Sequence, residues 1–168
     1  MARRIFSSMG GVIFLTIAFS GWGFAEQPKE ELAVTSRHQR VDYANRIFVY
    51  QGEVKLDWKD LIVEADEISA YLTEENTLMK IVARGKVSII EKAAKTKAFC
   101  DLATYTLEDD KMVLEGTAQY EDEFGNTLLA DEIILWRGEE KMEATGSPVR
   151  ATYFLEEVKV DSPSGKSN

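Results

Sequence analysis

The chain has 168 residues, 45% of them hydrophobic, with a formal net charge of -9, one histidine and one cysteine. That length suffices for one domain with a real core. The acidic surface disfavours nucleic acid and anionic membranes as partners, and a lone cysteine allows no intrachain disulfide, so the fold has to stand on packing alone.

At the start of the chain, Arg3 and Arg4 precede an apolar run from Gly10 to Phe24. The run ends in Gly23-Phe24-Ala25, with small residues at the two positions a signal peptidase reads. Residues 1–25 therefore read as a cleaved secretory signal, followed by a linker over 26–31. A retained anchor is the alternative, because Ile5 to Phe24 is about long enough to cross a bilayer at roughly 1.5 Å per residue. Ser7, Ser8, Gly10 and Gly11 weaken that run, and no cysteine near the cleavage point offers a site for lipid attachment. Cleavage removes two of the 20 Lys+Arg and none of the 29 Asp+Glu, taking the formal charge from -9 to -11. A phosphate-bearing ligand would then have to be held mainly by apolar burial.

A short strand is expected at Leu32 to Ser36, and an internal repeat follows it. A pattern of apolar-x-apolar-x-Gly-x-apolar-x-apolar occurs at Phe48 to Leu56, Ile81 to Ile89 and Met112 to Tyr120, with a degenerate copy at Met142 to Arg150. The glycines Gly52, Gly85, Gly116 and Gly146 are 33, 31 and 30 residues apart. Each unit continues into a second strand marked by Asp66, Asp101 or Asp131, which lie 14, 16 and 15 residues after their glycines. Each then reaches an aromatic residue, Tyr71, Tyr105 or Trp136, and an acidic turn: Thr73 to Asn76, Glu108 to Lys111, and Gly138 to Lys141. These turns read as hairpin loops. Glu91 to Lys97 contains good helix formers but no cap, and reads as an extended hairpin loop.

Period-two alternation gives strands with two unlike faces. Around the three glycines the inward register holds Phe48, Tyr50, Val54, Leu56, Ile81, Ala83, Val87, Ile89, Met112, Leu114, Ala118 and Tyr120. The positions between them are mostly polar, with Val49, Val82 and Val113 as exceptions. The glycines fall on the inward register and predict bends at sheet corners. The Asp steps predict a second bend, with each carboxylate bonding nearby backbone amides. Stacking of Asp66, Asp101 and Asp131 into a cation or glycosidase-like site is an alternative that a recurring corner residue does not require.

No enzyme is indicated. His38 is the only histidine and reads as a solvated loop residue, there is no Gly-x-Ser-x-Gly elbow, and Cys100, read as a buried thiol, has no histidine near it in sequence. No catalytic residue, metal site or cofactor is expected, and no phosphate-binding loop with lysine is present. Repeats of about 31 residues made of paired strands stack into a solenoid-like or jelly-roll assembly. The chain opens on a partial unit and closes on a degenerate one carrying Pro148 and Arg150. Two unlike, uncapped edges predict head-to-tail association through Leu32, Val34 and Tyr153.

The run from Arg46 to Tyr71, with Gly52-Glu53-Val54 and Ala65-Asp66-Glu67-Ile68, resembles the OstA-like repeat of the LptA family of periplasmic lipopolysaccharide transport proteins. Ala130 to Ile133 through Trp136 to Ala144 resembles its closing repeat, and Leu32 to Ser36 with Val41-Asp42-Tyr43 its first strands. Two departures stand out: Arg37 where the family tends to carry an acid, and one residue fewer between Asp101 and Tyr105. The resemblance implies an all-β, twisted open β-jelly-roll over 32–158; the polar end of the chain, with Pro and Gly, reads as a disordered tail over 159–168. The resemblance also implies a groove for lipid acyl chains, lined by Phe48, Tyr50, Val54, Leu56, Ile81, Val87, Ile89, Met112, Leu114, Ala118 and Tyr120. Its implied partners are lipopolysaccharide, an LptC-like protein at the inner membrane, an LptD-like protein at the outer membrane, and further copies of itself in a bridge. The physics agrees: at about 0.8 kcal/mol per methylene, one long acyl chain left in water costs on the order of 10 kcal/mol. An LptC-like anchored component and a structural or adhesive repeat protein are the rival readings.

Overall fold

The structure, a computed structural model, describes residues 31–155. The signal peptide, nearly all of the linker and the tail expected from sequence lie outside them. Ten strands form one antiparallel sheet: β1 (Leu32–Thr35), β2 (His38–Asp42), β3 (Ile47–Trp58), β4 (Leu61–Leu72), β5 (Leu78–Glu91), β6 (Thr96–Thr106), β7 (Lys111–Glu121), β8 (Thr127–Trp136), β9 (Lys141–Thr145) and β10 (Arg150–Thr152). A 3-10 turn, Arg137–Glu139, joins β8 to β9. Six long strands run in sequence order from β3 to β8. At one edge β1 pairs with the end of β3 and β2 with its beginning. At the other, β10 pairs with the start of β8 and β9 with its end.

Each long strand breaks register near its middle, between Gln51 and Val54 in β3, Arg84 and Val87 in β5, and Glu115 and Ala118 in β7. There the Gly-x pairs sit opposite Asp66, Asp101 and Asp131, two residues facing one, which is a β-bulge and bends the strand. The bends divide the sheet into two leaves. The first comprises β1, β10 and the halves 54–58, 61–65, 87–91, 96–100, 118–121 and 127–130. The second comprises β2, β9 and the halves 47–51, 67–72, 78–84, 102–106, 111–115 and 132–136. Apolar residues of both leaves form one core, and the rings of Trp58 and Tyr105, from different leaves, lie 6.0 Å apart. The sheet is thus folded over itself with its two edges left open, the jelly-roll expected from the repeat.

The corner chemistry follows from the glycine. Gly85 has φ +77°, and the following Lys86 has φ 49°, a left-handed pair that only glycine starts without strain. A side chain at Gly85 would also collide with Asp66, whose Oδ2 would lie 2.6 Å and Cβ 3.0 Å from the added carbon. Gly116 meets Asp101 in the same way. The Asp of one unit therefore packs into the space left by the glycine of the next, and at the degenerate corner Asp131 accepts the amide of Ser147 at 3.0 Å. Arg37 takes this place against Gly52: its side chain covers the glycine, its amide donates to the Gly52 carbonyl at 3.0 Å, and its guanidinium pairs with Glu53. The departure at Arg37 thus preserves register. Gly85→Val is expected to lower stability by about 1–3 kcal/mol through backbone strain alone, before the clash with Asp66. Chemical denaturation checks this, and an unchanged midpoint and slope would contradict it.

Several sequence expectations need correction. Tyr71, Tyr105 and Trp136 are not equivalent. Inward positions on the second strands fall two and four residues after the Asp, giving Ile68 and Ala70, Ala103 and Tyr105, and Ile133 and Leu135. Tyr105 therefore points into the core, whereas Tyr71 and Trp136 lie one position on, outside, under Lys80 at 4.5 Å and Lys141 at 4.4 Å. No residue is missing from the second repeat. The loop expected over Glu91 to Lys97 is shorter, since β5 runs to Glu91 and β6 starts at Thr96. His38 is exposed, as expected, but opens strand β2 and is not in a loop. Among the outward exceptions, Val82 is buried together with Ser69. Both sit in a cross-strand row of short side chains, Val49, Ser69, Val82, Thr104 and Val113.

Candidate functional site

The space between the leaves is built by rows of side chains running across the strands. In the first leaf Val34, Leu56, Val63, Ile89, Ala98, Tyr120 and Leu128 follow one another across the ladder. In the second leaf Tyr50, Ile68, Ala83, Ala103, Leu114, Ile133 and Ala144 do so. Of the eleven residues expected to line a groove, Val54, Leu56, Ile81, Val87, Ile89, Met112, Leu114 and Ala118 are buried in the shared core, and Tyr50 and Tyr120 pack partly buried against it. Phe48 is half-buried and meets the ring of Tyr43 at 6.5 Å, outside that core. Cys100 is buried on the same inner face, where burial pushes its thiol up to about 11 and leaves it a small apolar filler.

Little free space is left in the interior. Between Leu56, Trp58, Val63, Ile81, Tyr105 and Met112 only about 20 Å³ remains, and a second void beside Ala98, Tyr120 and Leu135 holds about 30 Å³. Each has room for one water-sized group, whose share of liquid volume is about 30 Å³. Outside, a cleft of about 390 Å³ opens between Ala94 and Tyr120 on one leaf and Leu135, Trp136 and Met142 on the other.

Arg137 closes the mouth. Its guanidinium bonds Glu91 and lies 3.4 Å from Asp60, both on the first leaf, and 3.4 Å from Asp110 and from the Tyr105 hydroxyl on its own leaf. Burial works against its charge, but the bond and the charge of Glu91, with Tyr105 and Asp110 behind them, outweigh it and raise the guanidinium's pKa. The Tyr105 hydroxyl donates to Asp110 at 2.6 Å, and burial together with that carboxylate pushes it up to about 12. Trp58, Tyr105 and Arg137 were not expected at the site from sequence. The spacing of Tyr105 four residues after Asp101, against five for the other two aromatics, is the signal that could have found one of them.

The residues expected at an interface lie at opposite edges. Leu32 and Val34, on β1, are partly buried against the core opposite Trp58 and Leu56. Tyr153 follows β10 and is 65% exposed, next to the exposed Phe154 and Leu155. Among the described residues no three His, Cys, Asp or Glu side chains gather in a way that could hold a metal ion, so the three corner aspartates do not form the cation site weighed as an alternative.

The profile of a family described as LptA/(LptD N-terminal domain) LPS transport protein matches residues 33–141. Among solved structures, the fold resembles the crystal structure of LptH, the LptA homologous periplasmic component of the conserved lipopolysaccharide transport device from Pseudomonas aeruginosa. The TM-score is 0.67 at 17% sequence identity, covering 75% of this chain and 96% of that one. No curated protein matches the chain in sequence.

Proposed function

Because the chain belongs to the LptA/LptD N-terminal domain family of lipopolysaccharide transport proteins, we propose that it carries lipopolysaccharide through the periplasm with the acyl chains held between its two leaves. The observation that carries this reading is the unbroken apolar inner face, contributed by every long strand and by residues on both sides of the bend. Such a face offers the methylenes of a lipid what water cannot, at about 0.8 kcal/mol each. With residues 1–25 removed the chain is strongly acidic, so phosphates contribute little to holding the ligand. The voids of about 20 and 30 Å³ are too small for a long chain, and loading requires the leaves to part.

In this reading the protein is one link in a bridge. It receives lipid from an LptC-like protein at the inner membrane and passes it to an LptD-like protein at the outer membrane, directly or through further copies joined edge to edge. It has no catalytic role and needs no cofactor, and energy for the transfer comes from a partner. Competition binding tests the acyl-chain claim. Acylated lipopolysaccharide is expected to bind, and its fully deacylated oligosaccharide, which retains sugars and phosphates, to bind at least a hundredfold more weakly. Equal binding of the two would refute acyl capture.

A further inference from the structure

Resting on the carrier reading, we propose that the cleft between the β5–β6 turn and the β8–β9 connection is the portal through which acyl chains enter, and that Arg137 is its latch. Three spaces lie in line. The outer cleft shares Glu91, Tyr120, Leu135 and Arg137 with the inner void of about 30 Å³. That void shares Leu61, Ile89 and Met112 with the innermost one of about 20 Å³. The route from solvent to the core thus runs from a cleft of mixed lining to inward-facing residues, and its narrow part is where Arg137 stands.

The occupant is an acyl chain because the cleft is amphipathic and leads to the apolar core. Tyr120, Leu135, Trp136 and Met142 supply apolar wall, and the charged groups Arg137, Glu91, Glu140 and Lys141 sit with them. Glu91 is the telling residue. It continues the inward row of Leu61 and faces Thr96 on the next strand, so its carboxylate is aimed at the path. Arg137 covers it from the opposite leaf and holds Asp60 as well. As long as those bonds stand, the leaves are tied at the mouth. The tie is imperfect: the Arg137 Nε is buried without a hydrogen-bond partner, a cost that water would relieve when the leaves part. A latch that is stable but strained in this way suits a door that has to open for each cargo.

Lipopolysaccharide micelles bearing photoactivatable acyl chains provide the test, with the rate of labelling of peptides containing Ile81 and Met112 as the readout. Arg137→Met is expected to speed interior labelling about tenfold, a barrier change of ordinary size for lost charge pairs. Glu91→Gln should speed it less but in the same direction, and it keeps the comparison open if Arg137→Met folds poorly. Arg37→Ala, which removes an exposed pair with Glu53 and the cover over Gly52 but no group of the mouth, should leave the rate alone. Interior labelling at the wild-type rate in both mouth variants would overturn the latch while leaving the carrier reading intact. Slower labelling in Arg137→Met would show that Arg137 draws the ligand in and would equally overturn it. Absence of interior labelling in every protein, wild type included, would overturn the carrier reading and the latch with it.

Discussion

Leu56→Asp is expected to unfold the domain, with a loss on the order of 5 kcal/mol. Leu56 is 1% exposed, sits between Val34 and Val63 in its cross-strand row, and faces the second leaf across the core. Removing its branched side chain alone costs about 2–5 kcal/mol. The carboxylate then has to be buried or protonated, because the apolar residues around it offer no cation. Since a domain of this size holds only about 5–15 kcal/mol in total, little cooperative structure should survive. Glu53→Lys, three residues earlier at the exposed corner, should change stability by about 1 kcal/mol or less, the usual scale for an exposed pair such as Arg37 with Glu53. Urea denaturation of the two variants is the check. Similar midpoints for Leu56→Asp and wild type would mean that the space between the leaves is not the core.

Assembly should show the second large effect. The two edges of the sheet differ: β1 and β2 form one, β9 and β10 the other. Unlike edges make a heterologous contact, which grows as a filament instead of closing as a dimer. The far edge also carries exposed Tyr153, Phe154 and Leu155, apolar side chains of the kind that fix the register of an added strand. Sedimentation over a wide concentration range is expected to show a series of growing species. Proline at Val34 should shift that series strongly toward monomer, because it stiffens the edge strand and removes a donor. Val34 also packs against the core, so circular dichroism has to confirm that the variant still folds. A wild-type protein that stays monomeric, or that stops at a closed dimer, would contradict head-to-tail growth.

Much of the fold was legible because the repeat keeps its parity on the glycine strands. Across the bulge the inward register steps by four, from Tyr50 to Val54, Ala83 to Val87 and Leu114 to Ala118, so alternation counted outward from the glycine stays in phase. Ten of the eleven groove residues chosen that way join or touch the core. On the Asp strands the step is three, from Ala65 to Ile68, Cys100 to Ala103 and Ala130 to Ile133, and the phase reverses. Simple alternation fails there, and residue type alone, an aromatic ahead of an acidic turn, does not separate the inward Tyr105 from the outward Tyr71 and Trp136. Arg137 was hidden for another reason. Its partners Glu91 and Asp60 are 46 and 77 residues away, and nothing local records that folding the sheet over itself brings them together.

The account stands on where the acyl chains lie. Wild-type protein loaded with lipopolysaccharide carrying photoactivatable groups on its acyl chains, crosslinked and mapped by mass spectrometry, measures that directly. Labels are expected on the inward rows of both leaves, at residues such as Leu56, Ile89, Ile81, Met112 and Leu114. Labels confined to outward positions such as Val49, Phe99 and Leu129, with the inner rows untouched, would contradict it.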